Sequence, residues 1–419
     1  MRSLNNIQHH SPTTGNRLWM GIFLGALAAF GSLSMDMYLP GIPGIAEDFG
    51  TNASLVQLSL TACLLGLAGG QLVIGPLSDM KGRKGPLLLF LLIYMGASIF
   101  CALAIDIWMF IAARFIQGFS ASAGVVIARA IVRDIYSGKE LTKHFATLVL
   151  VVGIMPILAP IFGGFVLQVT TWDGIFWVIA AIGLLMSAMV FLTLPETLHE
   201  TKRSKGGINE TIRTFGDLIK DKTFMGYALA QGLIMGGVFA YVSGTPFVYQ
   251  EIYGVSPQAF SFLFALNGIG IMIGSKLTGR LSSRISESKI LSVGLFISIT
   301  ASLFLVVMTL IEPPLLFIVL PLFLIVSCVG VVQTTCFSLA MQTQGKHAGS
   351  ASALLGLLPY LLGAITAPLV GIAGESTAVP MGLTIMIADL GALASYWFLV
   401  RKQSVKNEAS SGKMANQEH

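Results

Sequence analysis

Four ionisable side chains stand inside long apolar stretches of the sequence: Asp36, Arg114, Arg129 and Asp389. In a bilayer each would cost about 2.5–3.5 kcal/mol on insertion scales, so each is a candidate for function. A buried carboxyl group can carry a proton, because desolvation disfavours its charged form. All six histidines lie outside the apolar stretches, so proton transfer would fall to the two carboxylates.

Each of these four residues also has a structural interpretation. Asp36 lies eighteen residues after Leu18, about 27 Å along a helix, so it can instead sit at the outer mouth of the membrane. Asp389 can hydrogen-bond a neighbouring helix rather than serve as a second proton or substrate site. Arg114 lies about 10 Å inside its helix, too deep to reach the surface easily, whereas the Arg129 stem can extend to the lipid headgroups.

The composition indicates a membrane protein. Hydrophobic residues make up 54% of the chain and charged residues 11%, with a mean hydropathy of +0.80. A water-soluble domain is about one quarter charged, and a transmembrane β-barrel would show short alternating segments. The four cysteines lie in apolar stretches without metal-ligand spacing, and no catalytic motif appears. We therefore expect no metal site, no other cofactor and no enzymatic activity.

Apolar runs of about twenty residues predict twelve transmembrane helices. They fall at residues 18–39, 54–77, 86–105, 107–132, 145–167, 174–194, 223–247, 257–278, 290–311, 314–340, 349–373 and 379–400. The predicted fold is an all-α membrane protein of two six-helix bundles related by pseudo-twofold symmetry. The predicted domains are a tail over 1–17, an N-terminal bundle over 18–194, a linker over 195–222, a C-terminal bundle over 223–400 and a tail over 401–419.

The basic residues predict the orientation, because lysine and arginine concentrate in cytoplasmic loops. With both termini in the cytoplasm, every basic residue except Arg114 and Arg129 falls in a cytoplasmic segment. The predicted outer loops carry acids instead: Glu47, Asp48, Asp106, Asp173, Glu251, Glu312 and Glu375. This distribution explains the net charge of +5 without a nucleic-acid partner.

A short repeat relates the two halves of the chain. After predicted helix 2 the sequence reads GPLSDMKGRKG from Gly75, and after predicted helix 8 it reads GRLSSRI from Gly279. The second copy lacks the acid and the paired basic residues. Parallel six-helix repeats of this kind occur in the major facilitator architecture.

The segment SMDMYLPGIPGIAEDFG, from Ser34 to Gly50, resembles a known first-helix signature. It is that of the bicyclomycin and chloramphenicol resistance branch (Bcr/CflA) of the drug:proton antiporters in the major facilitator superfamily. The resemblance covers nearly all of the predicted spans, and Asp36 takes the place of the family acid. It implies a multi-pass transporter of the bacterial cytoplasmic membrane with proton coupling at Asp36. A second acid found in some antiporters is replaced here by Ala28.

Two further motifs extend the resemblance. The loop after helix 2 matches the superfamily pattern at Gly75, Asp79, Gly82, Arg83 and Lys84. Its carboxylate at a helix end and its basic residues across a glycine turn can act as a latch that holds one arrangement of the halves; the alternative is a solvated loop that only sets the topology. In helix 4, the pattern Arg-x-x-Gln-Gly occurs at Arg114, Gln117 and Gly118, and the resemblance implies a role of Arg114 in proton coupling.

Predicted helix 5 resembles the antiporter motif, which ends in Pro-x-x-Gly-Gly. The matching residues are Pro156, Pro160, Gly163 and Gly164. The sequence departs from the wider motif at Ala159, where that motif has glycine. Small residues at these positions would let helices pack closely and pivot.

The leading functional hypothesis is alternating access, in which the halves rock about a central cavity and Asp36 exchanges protons while a drug leaves. The expected partners are protons, the lipid bilayer and a small lipophilic neutral or cationic drug, and we expect a monomer. Cavity candidates are Tyr38, Gln117, Tyr241 and Asn267. Two alternatives stay open. One is a metabolite uptake symporter on the same fold, and the other is a receptor or intramembrane enzyme, which no motif in the sequence supports.

Overall fold

The computed structural model describes residues 14–136, 138–203, 215–311, 313–342, 344, 348–373 and 377–401. Most of both predicted tails, residues 204–214 of the predicted linker, and the loop residues Glu312, Lys346 and Glu375 lie outside the described residues. The described part of the chain consists of helices joined by turns and contains no β-strand.

Helical segments follow the predicted spans in order, and we number them α1 to α12. In the N-terminal half, α1 consists of the pieces Thr14–Ala28, Phe30–Asp36 and Ile42–Asp48, followed by α2 (Ala53–Lys81), α3 (Lys84–Ala102), α4 (Ile107–Ile135), α5 (Gly138–Val166) and α6 (Trp172–Thr193). The C-terminal half contains α7 (Lys222–Phe247), α8 (Pro257–Leu281), α9 (Glu287–Ile311), α10 (Leu316–Gln342), α11 (Ala348–Thr366) and α12 (Val379–Ser395).

The lengths of these helices fit a membrane protein. Among the described residues, ten helices are long and apolar enough to cross a bilayer, and the bent α1 makes an eleventh. The described residues of α5 add a further apolar stretch, Leu150–Val166. The predicted all-helical membrane fold is therefore confirmed. Several observed helices run past the predicted ends, as α2 does to Lys81, because a helix can continue beyond the hydrocarbon layer into the headgroup region.

The first predicted span, 18–39, is present but is not one unbroken helix. The first span bends by 47° near Ala29, and its second piece ends at Asp36. A 3₁₀ turn, Leu39–Gly41, then leads into Ile42–Asp48. Pro40 and Pro43 lie in this stretch, and proline lacks the N–H that a helix interior requires. This interruption after Asp36, over residues 37–41, is the break in α1, and Asp36 is the last residue of the helical piece before it.

Glycines bring pairs of helices into close contact in both halves. A Cβ added to Gly66 of α2 or Gly118 of α4 would fall 2.2 Å from a backbone oxygen of the facing helix. The same holds for Gly274 of α8 and Gly330 of α10. Because only glycine permits this approach, α2–α4 and α8–α10 are matching close-packed pairs. They agree with the repeat seen in the sequence after helices 2 and 8.

The two halves are joined by hydrogen bonds at one end of the molecule, and a vestibule lies between them at the other. At the end where α2 begins, Gln57 Nε2 donates to the Ser243 carbonyl of α7 (3.3 Å). Nearby, Gln258 Nε2 of α8 donates to the Gly164 carbonyl of α5 (3.1 Å). At the opposite end, beside Asp79, a vestibule of about 450 Å³ lies between α2 and α4 on one side and α11 on the other.

Candidate functional site

A central cavity of about 290 Å³ lies between the two halves. Its walls come from α1, α5, α7, α8, α10 and α11, so both halves contribute. Aromatic rings form much of the surface, namely Phe239, Tyr241, Phe264 and Tyr360. Among the described lining residues, Asp36 is the only charged one. The cavity is therefore an apolar chamber with one carboxyl group and a few neutral polar side chains.

Asp36 lies beside the break in α1, and its side chain lines the cavity. The residue is only 7% exposed. Among the described residues, no hydrogen bond or ion pair engages its carboxyl group. This position differs from the helix mouth considered from the sequence, and it leaves the carboxyl group available to whatever enters the cavity.

Arg114 is fully buried in the N-terminal half, and in the described structure it does not pair with Asp36. Its Nη1 donates to the Ser34 carbonyl of α1 at 2.8 Å and also to Gln117 Oε1. The guanidinium lies 4.1 Å from the centre of the Tyr38 ring, a cation–π contact. Arg114 therefore binds the backbone of α1 two residues before Asp36, whereas the Asp36 carboxyl faces the cavity.

Two of the residues predicted for the cavity, Tyr38 and Gln117, lie in the Arg114 cluster and not among the described residues that line this cavity. Tyr38 follows the end of the Phe30–Asp36 piece and turns its ring towards Arg114. Gln117 lies one helical turn after Arg114 on the same face of α4, and its Nε2 donates to Ser98 Oγ of α3 at 2.8 Å. Both side chains hold Arg114 in the N-terminal bundle.

Tyr241 and Asn267, the other two predicted cavity residues, do line the cavity. Asn267 Nδ2 donates to the Tyr241 hydroxyl at 2.8 Å, and the Tyr241 ring stacks on Phe264 with centroids 5.3 Å apart. Sequence reasoning missed Gln231 and Tyr360, which also line it. An amide in the apolar α7 was a usable signal for Gln231, whereas a single aromatic residue such as Tyr360 gives none.

Asp389, the suggested second proton or substrate site, lies outside this cavity. It is fully buried in α12, and its Oδ2 accepts a hydrogen bond from Ser298 Oγ of α9 at 2.7 Å. Its Oδ1 has no partner among the described residues. The geometry matches the structural alternative, a buried hydrogen bond between neighbouring helices.

The loop between α2 and α3 forms an ion-pair cluster centred on the buried Arg83. Its Nη1 contacts Asp79 Oδ1 at 2.5 Å, and its Nε contacts Asp134 Oδ2, at the end of α4, at 2.8 Å. Burial alone would lower the pKa of Arg83, but these carboxylates outweigh it and hold the pKa above its ordinary value. Asp134 was missed in the sequence. These contacts all lie within the N-terminal half, so in this structure the predicted latch braces one bundle and does not join the halves.

Glu196, just after α6, caps the same loop. Its carboxylate accepts the backbone N–H groups of Arg83 (2.8 Å), Lys84 (3.1 Å) and Leu198 (3.0 Å). Burial alone raises the pKa of Glu196, but these N–H groups lower it below the ordinary value. Gly82 makes the turn possible, because its φ of 96° disfavours any side chain. Lys84 Nζ in turn donates to the Phe191 carbonyl at 2.9 Å.

The motif of α5 lies where three helices meet. Pro156 lines the cavity, and Pro160 lies one turn further along α5. A Cβ on Gly163 would fall 1.9 Å from the Met37 carbonyl of α1, and one on Gly164 would fall 2.7 Å from Ser261 Oγ of α8. The two glycines therefore allow α5 to touch the break in α1 and the opposite half together.

Comparison with known proteins agrees with this architecture. Residues 22–368 match the family model of the Major Facilitator Superfamily. An uncharacterized MFS-type transporter, YdgK, of Bacillus subtilis (strain 168) is 50% identical over 390 residues, which cover 92% of this chain and 97% of the relative. A bicyclomycin resistance protein homolog of Haemophilus influenzae is 32% identical over 379 residues, 90% of this chain and 95% of the relative.

A solved structure supports the fold alone. It is a bacterial homolog of the human lysosomal transporter Spinster, in an inward-facing and occupied conformation, with a TM-score of 0.71 at 16% identity and coverage of 93% of this chain and 97% of that one. The family match and the sequence relatives show that the chain is a membrane transporter and not an enzyme. It belongs to the Major Facilitator Superfamily, in the branch of the bicyclomycin and chloramphenicol resistance transporters.

Proposed function

We propose that this transporter is a proton-coupled antiporter that exports drug-like small molecules by alternating access. The observation that carries the proposal is the position of Asp36. Its carboxyl group is the only charged group on the described wall of the central cavity and has no partner in the described protein.

An isolated carboxylate in an apolar chamber is unfavourable unless a positive charge or a proton neutralises it. In an empty cavity a proton fills that role, and a bound cationic drug can replace it. A neutral drug would instead compete sterically with protonation of Asp36, because a cavity of about 290 Å³ leaves little room beside the carboxyl group. Either kind of competition couples proton entry to drug release.

The hydrogen-bonded contact between the halves, which we call the seam, and the vestibule at the opposite end fit one state of the alternating-access cycle. The halves are joined by the Gln57 and Gln258 hydrogen bonds at one end and have the vestibule between them at the end near Asp79. With the positive-inside orientation, which puts both termini and the linker in the cytoplasm of a bacterial cell, this is an inward-facing state of a monomeric transporter. Export then requires the seam to open outward.

A second candidate is uptake of a small metabolite in symport with protons. It is favoured by the amides of Gln231, Asn267 and Gln333 on the C-terminal wall of the cavity, which could recognise a polar substrate. Homology to a bicyclomycin resistance protein homolog favours export. The two candidates differ in the direction of substrate flux: an antiporter moves the substrate opposite to the proton flux, and a symporter moves it in the same direction.

The test is transport in proteoliposomes with an imposed pH gradient, using chloramphenicol, bicyclomycin and tetraphenylphosphonium as substrates. Wild type should move the substrate against the proton flux. Asp36→Asn keeps size and hydrogen-bonding capacity but cannot titrate, so it should lose gradient-driven transport and retain drug-for-drug exchange.

Asp389→Asn is the matched control, because it changes a buried membrane carboxyl group outside the cavity. It should keep gradient-driven transport. If Asp36→Asn still concentrates the drug while Asp389→Asn does not, the proton site lies in α12. If substrate flux follows the proton flux, the chain is a symporter.

A further inference from the structure

Two amide side chains of the cavity share one arrangement: each is held through its NH₂ group and leaves its oxygen free. Gln231 Nε2 donates to the Leu355 carbonyl of α11 at 3.3 Å. Asn267 Nδ2 donates to the Tyr241 hydroxyl at 2.8 Å and to the Leu263 carbonyl at 3.3 Å. Gln231 Oε1 and Asn267 Oδ1 have no partner among the described residues.

The direction of both amides follows from their neighbours. Rotating the Gln231 side-chain amide by 180° would bring its oxygen against the Leu355 carbonyl oxygen. The same rotation of the Asn267 amide would bring its oxygen against the Leu263 carbonyl oxygen. Two acceptors cannot share a hydrogen bond, so the NH₂ groups must point to these carbonyls. The free oxygens are thus fixed by the fold.

Both residues are deeply buried, with Gln231 7% and Asn267 1% exposed, and both line the central cavity. A buried acceptor without a donor is unfavourable, and the surrounding bilayer has no donor to offer. A donor must therefore come from the contents of the cavity, either water or a transported molecule.

The charges on the rest of the described wall limit which donor-bearing ligands the cavity can accept. The remaining ionisable carboxyl group is that of Asp36, and no lysine, arginine or histidine occurs among the described lining residues. The two buried amide oxygens are thus unpaired acceptors in a described wall without a cation, and rings such as Phe239, Phe264 and Tyr360 offer apolar contact. An anionic ligand would meet acceptors and a carboxyl group and find no cation.

The two free oxygens lie at different depths. Gln231 and Tyr241 are ten residues apart on α7, about 15 Å along the helix axis, and Asn267 bonds to Tyr241. Gln231 is closer to the vestibule end and Asn267 closer to the sealed end. A molecule entering from the vestibule would meet Gln231 first and Asn267 last.

We propose that Gln231 and Asn267 determine substrate specificity, and that they select neutral or cationic small molecules carrying at least two hydroxyl or N–H donors on an apolar body. This inference rests on the proposed function and names the substrate class of the same cavity. Gln231 selects at entry and Asn267 holds the donor at the inner end of the path, while Tyr241 positions the Asn267 oxygen.

The experiment measures binding to purified protein of chloramphenicol, which carries two hydroxyls and an amide N–H, and of its derivative with both hydroxyls methylated. Tetraphenylphosphonium, a cation without donors, is the third probe. Wild type should bind chloramphenicol about 5- to 100-fold more tightly than the methylated compound, because a buried acceptor then loses its donor. Tetraphenylphosphonium should bind more weakly than chloramphenicol.

The variants Asn267→Leu and Gln231→Met remove the oxygens at nearly constant volume, and each should reduce the preference for chloramphenicol over its methylated form. Thr245→Val is the matched control, since the Thr245 hydroxyl of α7 is satisfied by the Tyr241 carbonyl and does not line the cavity. It should keep the wild-type preference. If either cavity variant fails to fold, the comparison of the two chloramphenicol compounds on wild type decides the question.

The outcomes separate this inference from the proposed function. If wild type binds none of the three probes, the proposed function fails and the inference fails with it. If wild type binds the methylated compound or tetraphenylphosphonium as tightly as chloramphenicol, drug binding stands but the donor requirement is refuted. An unchanged preference in both Asn267→Leu and Gln231→Met would likewise show that water alone occupies these oxygens.

Discussion

Replacing Asp134 with Asn should destabilise the N-terminal bundle more than replacing Asp79 with Asn. The Arg83 and Asp134 side chains are 3% and 13% exposed, whereas Asp79 is 43% exposed. A hydrogen bond to a charged group contributes about 1.5–3 kcal/mol and a neutral one about 0.5–1.5 kcal/mol, so Asp134→Asn should cost about 1–1.5 kcal/mol. Asp79→Asn should cost less than about 1 kcal/mol, as for other solvent-exposed pairs.

The measurement is the rate of unfolding in detergent, followed by tryptophan fluorescence. Four of the five tryptophans lie in the N-terminal half, so the signal reports on that bundle: Trp19, Trp108, Trp172 and Trp177. A loss of 1.4 kcal/mol corresponds to about a tenfold change, which we expect in the unfolding rate if the contact is absent from the transition state. Asp134→Asn should therefore unfold about five- to tenfold faster than wild type.

Glu287→Gln is the control, because Glu287 lies at the start of α9 in the C-terminal half and accepts hydrogen bonds from Ser338 and Gln342, with no ion pair among the described residues. It should leave the tryptophan signal nearly unchanged. A larger acceleration by Asp79→Asn than by Asp134→Asn would refute the idea that burial ranks the two contacts. Equal rates for wild type and Asp134→Asn would show that the cluster does not brace the bundle.

Three other predictions concern the loop, the helix contacts and the topology. The lowered pKa of Glu196 implies a stabilising contribution that is present above the unfolded value of about 4.3 and lost as the pH falls below it, so Glu196→Gln should flatten the acid side of a thermal-stability profile. Gly163→Ala should abolish transport because its Cβ would overlap a carbonyl of α1, whereas Gly153→Ala, with open space around it, should transport normally. Cysteines at Glu47 and Asp173 should react with impermeant reagent from outside, and a cysteine in the linker should not; the reverse pattern would overturn the orientation.

The candidate site was only partly predictable from the sequence. Asp36 and Arg114 were singled out because charge in an apolar stretch is costly wherever the helices pack. Their relation was not predictable: Arg114 bonds to the Ser34 carbonyl and not to the Asp36 carboxyl. Tyr38 shows the same limit, since an aromatic residue beside Asp36 could face the cavity or the bundle, and only the break in α1 turns it to Arg114.

The sequence by itself determined that the chain spans a membrane, where its helices lie and that its halves repeat, because apolar length and charge placement act locally along the chain. Only the tertiary structure decided which side chains face one another. The free oxygens of Gln231 and Asn267 depend on carbonyls and a hydroxyl supplied by other residues, and the Arg83 cluster joins Asp134 from 51 residues away in the chain. Such contacts follow from how helices pack in three dimensions, and spacing along the chain does not encode them directly.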